Sequence, residues 1–210
     1  MNDGLKIAVF ASGRGTNFEA ILKAIRECSI KGAGIVAVIS NNSGAGALET
    51  ARNNDIPALH ISRTQFESDG AFDAHLIGAL EKHGANFIVL AGYMKRISPA
   101  VIAKFRNRII NIHPALLPDF GGKGMYGDRV HAAVIASRAK VSGATVHMVD
   151  EVYDHGAIII QKTVPVSPND TPETLAEKVL KIEHEIYPEA VRMFAEGKVH
   201  INGKKVSTAH

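Results

Sequence analysis

The sequence predicts an α/β fold built on an open, doubly wound, mostly parallel sheet, with an antiparallel strand in the second half. Three patterns predict it. Strand-like apolar runs alternate with helix-length segments through the first half. Those early runs are apolar almost throughout, as strands covered on both faces must be. Two later strand-like runs are joined by a link too short to hold a crossover helix.

The elements follow in order. Residues 6–11 form the first strand-like run, and the helix after it starts at about Asn17. Its Phe18, Ile21, Leu22 and Ile25 recur at i, i+3, i+4 and i+7, one stripe for a sheet face. Cys28, the single cysteine, falls among the apolar positions of that helix and is expected to pack there; alone, it cannot close an intrachain disulfide, which suits a reducing compartment. Further strands are expected at 35–40, 58–61, 87–91 and 109–112, with helical patterns between the first four strands. Residues 145–149 and 157–166 read as an antiparallel pair around the short link 150–156. A last helix begins near Asp170-Thr-Pro-Glu173, where Asp170 or Thr171 caps and Pro172 suits the first turn. Leu175, Val179, Ile182 and Ile186 are its buried stripe, and Pro188 predicts a kink or break by freeing the His184 carbonyl.

With 210 residues, 46% of them hydrophobic, the chain can bury one full core, so a single domain over 1–210 is expected. Its 24 Lys and Arg are interleaved with 21 acids for a net charge of +3, which argues against nucleic acid as partner. Short basic clusters, Lys95-Arg96 and Lys204-Lys205, suffice for the phosphate or carboxylate of a small anionic substrate. No run of about 18 apolar residues occurs, and Met1-Asn-Asp-Gly-Leu-Lys lacks a signal-peptide pattern, so a cytoplasmic protein without a membrane partner is expected.

Two segments carry chemistry. Ser12-Gly-Arg-Gly-Thr-Asn17 lies at a strand-to-helix junction, where backbone N–H groups bind phosphate. It opens like a dinucleotide fingerprint, but Phe18 stands where the third glycine belongs, and Ser40-Asn-Asn42 supplies no acid for a ribose diol. A phosphomonoester held by the N–H groups of Gly15, Thr16 and Asn17 fits better than NAD. In Arg108-Ile-Ile-Asn-Ile-His-Pro-Ala-Leu-Leu-Pro118, Asn111 and His113 are two apart in an extended segment and project together. An amide donor beside an imidazole suits an oxyanion and a proton transfer near neutral pH. Downstream, Asp150, Glu151 and Asp154 all have spacing that permits a carboxylate partner for His113. The histidines lack paired metal-ligand spacing on a helix, and no metal is expected.

These segments, with Ala91-Gly-Tyr-Met-Lys-Arg-Ile-Ser-Pro99, Gly143-Ala-Thr-Val-His147, 150–156 and Glu183-His-Glu-Ile-Tyr-Pro188, resemble the folate-dependent formyltransferases, and among them the glycinamide ribonucleotide formyltransferase family. The likeness covers nearly the whole chain. It implies a Rossmann-like formyltransferase fold, with a phosphate-binding half at about 1–100 and a catalytic and folate-binding half at about 87–200. It implies transfer of the formyl group of 10-formyltetrahydrofolate to the amine of glycinamide ribonucleotide, in purine biosynthesis, by a monomer or homodimer. It implies catalytic roles for Asn111, His113 and Asp154, choosing Asp154 among the three acids, and a supporting role for His147. Folate contacts at Met94, Lys95, Arg96, Ile97 and Asn111, a loop from Val152 to Asp154 closing over the pterin, and a ribonucleotide contact at Glu183 come from the same resemblance.

Two departures stand out: Asp69 lies where some members of the family carry an arginine near the folate tail, and Gly121-Gly-Lys-Gly-Met-Tyr-Gly127 is a glycine-rich variant suggesting a mobile lid. A formylfolate hydrolase or methionyl-tRNA formyltransferase is disfavoured by chain length, and a non-catalytic binding module would not need Asn111, His113 and Asp154 together.

Overall fold

The computed structural model describes residues 4–202 and 205–208. Lys204 of the basic pair Lys204-Lys205, and residues 1–3 of the amino-terminal reading, lie outside them. The chain is α/β and mostly parallel, with its antiparallel strands in the second half, and divides into two compact units, Met1–Ile109 and Ile110–His210.

The first unit alternates β1 (Leu5–Phe10), α1 (Thr16–Arg26), β2 (Ala33–Ser40), α2 (Gly46–Arg52), β3 (Ala58–His60), α3 (Asp69–Lys82), β4 (Phe87–Leu90) and α4 (Pro99–Lys104). Its strands lie in the order β3-β2-β1-β4, all parallel. The chain steps outward from β1 to β3 and then returns to β1's other side, so the strand order reverses between β1 and β4. In such sheets ligands bind beyond the carboxyl ends of the strands at that reversal. Ile7 to Phe10 of β1 and Ile88 and Val89 of β4 have no exposure, which explains their unbroken apolar sequence. Phe18 and Ile21 of α1 are fully buried too, each contributing roughly 1.5–3 kcal/mol by leaving water. Phe18, which departs from the dinucleotide pattern, is thus a core residue.

Cys28 corrects the expectation of packing. Helix α1 ends at Arg26, and Cys28 follows at φ 59° with its side chain exposed. The apolar periodicity continued past the turn that closes the helix, so the position never reaches the core.

The second unit holds β5 (Ile109–His113, all but its first residue), α5 (Asp128–Ala136), β6 (Val141–Met148), β7 (Ile158–Pro165), α6 (Pro172–Ala195) and a hairpin of β8 (Val199–Asn202) and β9 (Lys205–Thr208). Strands β5-β6-β7 run antiparallel, as the short link 150–156 requires. Gly143 and Gly156 permit close approach there: a Cβ would lie 2.1 Å from the Lys162 carbonyl oxygen at the first and 1.9 Å from that of Met148 at the second.

Of the kink or break expected at Pro188, helix α6 rules out the break, since it is helical from Pro172 to Ala195. Thr171 caps it, its Oγ1 accepting from Thr174 N at 3.3 Å. Leu175, Val179, Ile186, Tyr187, Ala190 and Val191 are all buried, on both sides of the proline, and the Tyr187 hydroxyl donates to the Ile110 carbonyl at 3.2 Å. The lost hydrogen bond is outweighed because burial on both flanks holds the helix together.

Candidate active site

The second unit assembles an ionisable cluster from β5, β6 and the link after β6. Antiparallel pairing puts Asn111 opposite His147 and His113 opposite Thr145. Directly opposed side chains share a face, so Asn111, His113 and His147 lie together. The β6-β7 pairing has a register irregularity at this point, Val146 facing Ile160 and His147 facing Ile158, which leaves Ile159 of β7 as the extra residue. Asp154 closes the cluster from the link: its Oδ2 is 3.6 Å from His113 Nδ1 and its Oδ1 3.5 Å from His147 Nε2. Both imidazoles are almost wholly buried, and the Asp154 side chain is 11% exposed. Of the three acids compatible in sequence, the structure brings Asp154 to the histidines. Asp150 instead accepts from Val152 N at 2.8 Å and faces the exposed His155.

The hydrogen bonds constrain the protons. His113 Nε2 lies 2.8 Å from the Phe120 carbonyl oxygen, and a carbonyl only accepts, so Nε2 carries a hydrogen. The nitrogen left to titrate is Nδ1, which faces Asp154. By the same rule His147 Nδ1 donates to the Met148 carbonyl at 2.7 Å, and its Nε2 lies between Asn111 Nδ2 at 3.1 Å and Asp154 Oδ1 at 3.5 Å. The second N–H of that amide is then free of His147.

Burial pushes His113 below its ordinary value of 6.5; Asp154 and the Phe120 carbonyl pull it part of the way back, and His147 adds to the lowering. A neighbouring carboxylate favours the imidazolium, as Asp154 does here, but desolvation decides the net direction. Burial raises the Asp154 carboxyl, yet His147, His113 and the Gly122 N–H together hold it below the usual carboxylate range. His131 of α5, 5% exposed, is also pushed down by burial, opposed by Asp128, with His113 adding to the lowering.

The loop after β5 is held from beneath. Thr145 Oγ1 donates to the Ala115 carbonyl at 2.6 Å and accepts from Leu117 N at 3.1 Å, while Gln161 Nε2 donates to the Leu117 carbonyl at 3.0 Å. A cavity of about 360 Å³ lined by Leu116, Asp119, Phe120, Ala139, Val141 and Ser142 shares Phe120 with the cluster but none of the ionisable groups described above. Carboxylate, imidazole and amide converge in the cluster instead.

In the first unit, α1 starts from Gly15 at φ 86°, ψ 26°, with no side-chain cap to its first N–H groups. Gly15, Thr16 and Asn17 therefore stand where an anion completes a helix end. Gly15 is required sterically as well, since a Cβ would lie 2.6 Å from Ala47 Cβ of α2. Ser12 ties this loop to the one after β4: its Oγ donates to Asn41 Oδ1 at 2.5 Å and accepts from Met94 N at 2.8 Å. Met94 is 51% exposed, Lys95 and Arg96 are exposed, and Ile97 is buried. Asp69 begins α3 and pairs with Arg63.

Glu183 is 8% exposed on α6, within the second unit, and so is not the solvated acid its sequence context allows. In that unit Val152 and Tyr153 expose 57% and 45%, an apolar surface beside Asp154 of the kind a flat ring covers. Sequence reasoning missed Ser12, His131, the Phe120 carbonyl and the Gly122 N–H; the glycine run 121–127 was the available signal for the last two. Among the described residues no group of three His, Cys, Asp or Glu side chains is arranged to hold a metal ion, and no helix is long and apolar enough to cross a membrane.

The family model described as formyl transferase matches residues 5–191 of this α/β chain. The chain belongs to the formyl transferase family. It is 46% identical over 195 residues to the chloroplastic phosphoribosylglycinamide formyltransferase of Arabidopsis thaliana, covering 92% of this chain and 66% of that protein. The counterpart from Vigna unguiculata is 45% identical over 194 residues, 92% of this chain and 62% of that protein. The chain thus spans about two thirds of the length of these curated relatives. The crystal structure of glycinamide ribonucleotide transformylase 1 from Symbiobacterium toebii superposes with TM-score 0.93 at 40% identity, covering 100% of this chain and 96% of that one.

Proposed function

We propose that this protein transfers the formyl group of 10-formyltetrahydrofolate to the amine of glycinamide ribonucleotide, releasing tetrahydrofolate, as a step of purine biosynthesis. The observation that carries the reading is Asp154 within 3.6 Å of His113 Nδ1, with Asn111 and His147 on the same face. The names of the relatives support the substrates.

In this reading the amine attacks the formyl carbon, a C–N bond forms, and the formyl oxygen becomes an oxyanion. Asn111 donates its remaining N–H to that oxygen without titrating, and the charge developing there, with Asp154, favours the His113 imidazolium against its burial. Asp154 stabilises the imidazolium and receives the proton lost by the amine, directly or through water. The C–N bond to the folate then breaks, and the proton passes to the departing nitrogen. His147 orients Asn111 through the 3.1 Å hydrogen bond.

The N–H groups of Gly15, Thr16 and Asn17 bind the ribonucleotide phosphate, and Glu183 contacts the ribonucleotide. Met94, Lys95, Arg96, Ile97 and Asn111 contact the folate. Residues 1–210 act as one formyltransferase domain, with phosphate binding in about 1–100 and catalysis and folate binding in about 87–200. The reaction uses no metal, and the protein works in the cytoplasm as a monomer or homodimer, without nucleic acid or membrane. Purified protein given both substrates should form tetrahydrofolate stoichiometrically with formylated ribonucleotide. Absence of turnover in folded protein would overturn the reading.

A further inference from the structure

The loop after β5 touches both partners of the central pair through its main chain. The Phe120 carbonyl accepts from His113 Nε2 at 2.8 Å, and two residues on, the Gly122 N–H donates to Asp154 Oδ2 at 2.9 Å. That same oxygen faces His113 Nδ1 at 3.6 Å. We propose that the main chain of Phe120 to Gly122 is the positioning element of the His113–Asp154 pair: it fixes which imidazole nitrogen faces the carboxylate and which carboxylate oxygen faces the imidazole.

The chemistry of the groups is one-sided. A carbonyl cannot donate, so it holds the hydrogen on Nε2; an N–H cannot accept, so it selects a carboxylate oxygen in its ionised form. The backbone is shaped for this task at both ends. Phe120 and Asp154, neither of them glycine, both sit at φ 54°, a conformation that costs energy and persists where the surroundings impose it. Gly122 lies at φ 96°, and Gly121 has no room for a side chain, since a Cβ would meet Leu117 Cδ2 at 2.6 Å and Asp154 Cβ at 3.2 Å. The two glycines let the loop lie flat against the carboxylate. No side chain of the loop is needed for the contact, so residue types there carry the function through backbone geometry.

Gly124 supplies an internal control. Its φ of 92° matches that of Gly122, and a Cβ at either position meets nothing within 4 Å. Alanine therefore imposes similar strain at both, but Gly122 is the one that holds Asp154. Gly122→Ala should lower kcat by about 10-fold or more while leaving both KM values within about threefold, and Gly124→Ala should change kcat less than about twofold. This kinetic arm rests on the formyl-transfer reading; a second arm does not. In ¹⁵N-labelled protein the Gly122 amide proton should follow the ionisation of Asp154 with pH and move upfield in Asp154→Asn, whatever the reaction. Equal kinetic losses in the two glycine variants, or a Gly122 amide indifferent to Asp154→Asn, would overturn the proposal. A wild-type protein without turnover would overturn the formyl-transfer reading and leave the amide measurement to decide this one.

Discussion

Replacing Asp154 with asparagine keeps the shape of the side chain and removes its charge, so it isolates the electrostatic half of the pair. Asp154 Oδ2 is 3.6 Å from His113 Nδ1. At an effective dielectric of about 20, two unit charges at that separation interact by about 4–5 kcal/mol. The carboxylate shares its charge with His147 and Gly122, and its removal should lower the His113 pKa further. The direction follows because the Asp154 charge raises the His113 pKa against the burial that lowers it. With the imidazolium depleted and the proton acceptor gone, kcat should drop about 10²-fold or more. His113→Ala should be comparably severe and the double variant far less than additive, since both residues serve one event. The assay pairs turnover with NMR titration of ¹³C-labelled His113 in wild type and Asp154→Asn. An unchanged His113 pKa with near-normal turnover would refute the reasoning.

Gly15→Val combines strain at φ 86° with a Cβ 2.6 Å from Ala47, so it should raise the ribonucleotide KM far more than the folate KM, and equal effects in steady-state kinetics would show the phosphate site to be elsewhere. Lys95→Ala and Arg96→Ala should weaken folate binding, measured by titration calorimetry, in a way that high salt diminishes; unchanged affinity in both would return them to ordinary surface charges. His131 has a folded pKa below its ordinary 6.5, so the unfolded chain binds the proton more readily. The stability this allows is present above 6.5 and is lost as pH falls toward the folded value. Urea denaturation across that window should show a shallower pH dependence in His131→Gln than in wild type.

Composition and periodicity were enough to determine the architecture's class, because burial on both faces leaves its mark residue by residue: residues 87–91 are apolar without interruption and coincide with β4, Phe87–Leu90. Antiparallel pairing after β6 was equally legible, since seven residues cannot make a parallel crossover. Spacing also brought Asn111 and His113 together, because alternation along a strand is a local property. What depended on distant chain was hidden. Pro188 reads as a helix break, yet α6 runs through it because the residues on either side are buried. Cys28 reads as core, but the helix ends two residues earlier. Spacing left three acids equivalent and only the resemblance chose among them; the fold carries Asp154 to the two histidines and leaves Asp150 with His155. The glycine run 121–127 marked an unusual backbone, but not that the Phe120 carbonyl and Gly122 N–H would face the pair, because every residue but proline has those same groups. A sequence displays side-chain chemistry and local period, whereas the direction a backbone group faces, and the net pKa of a buried histidine, are set by neighbours that only the folded chain supplies.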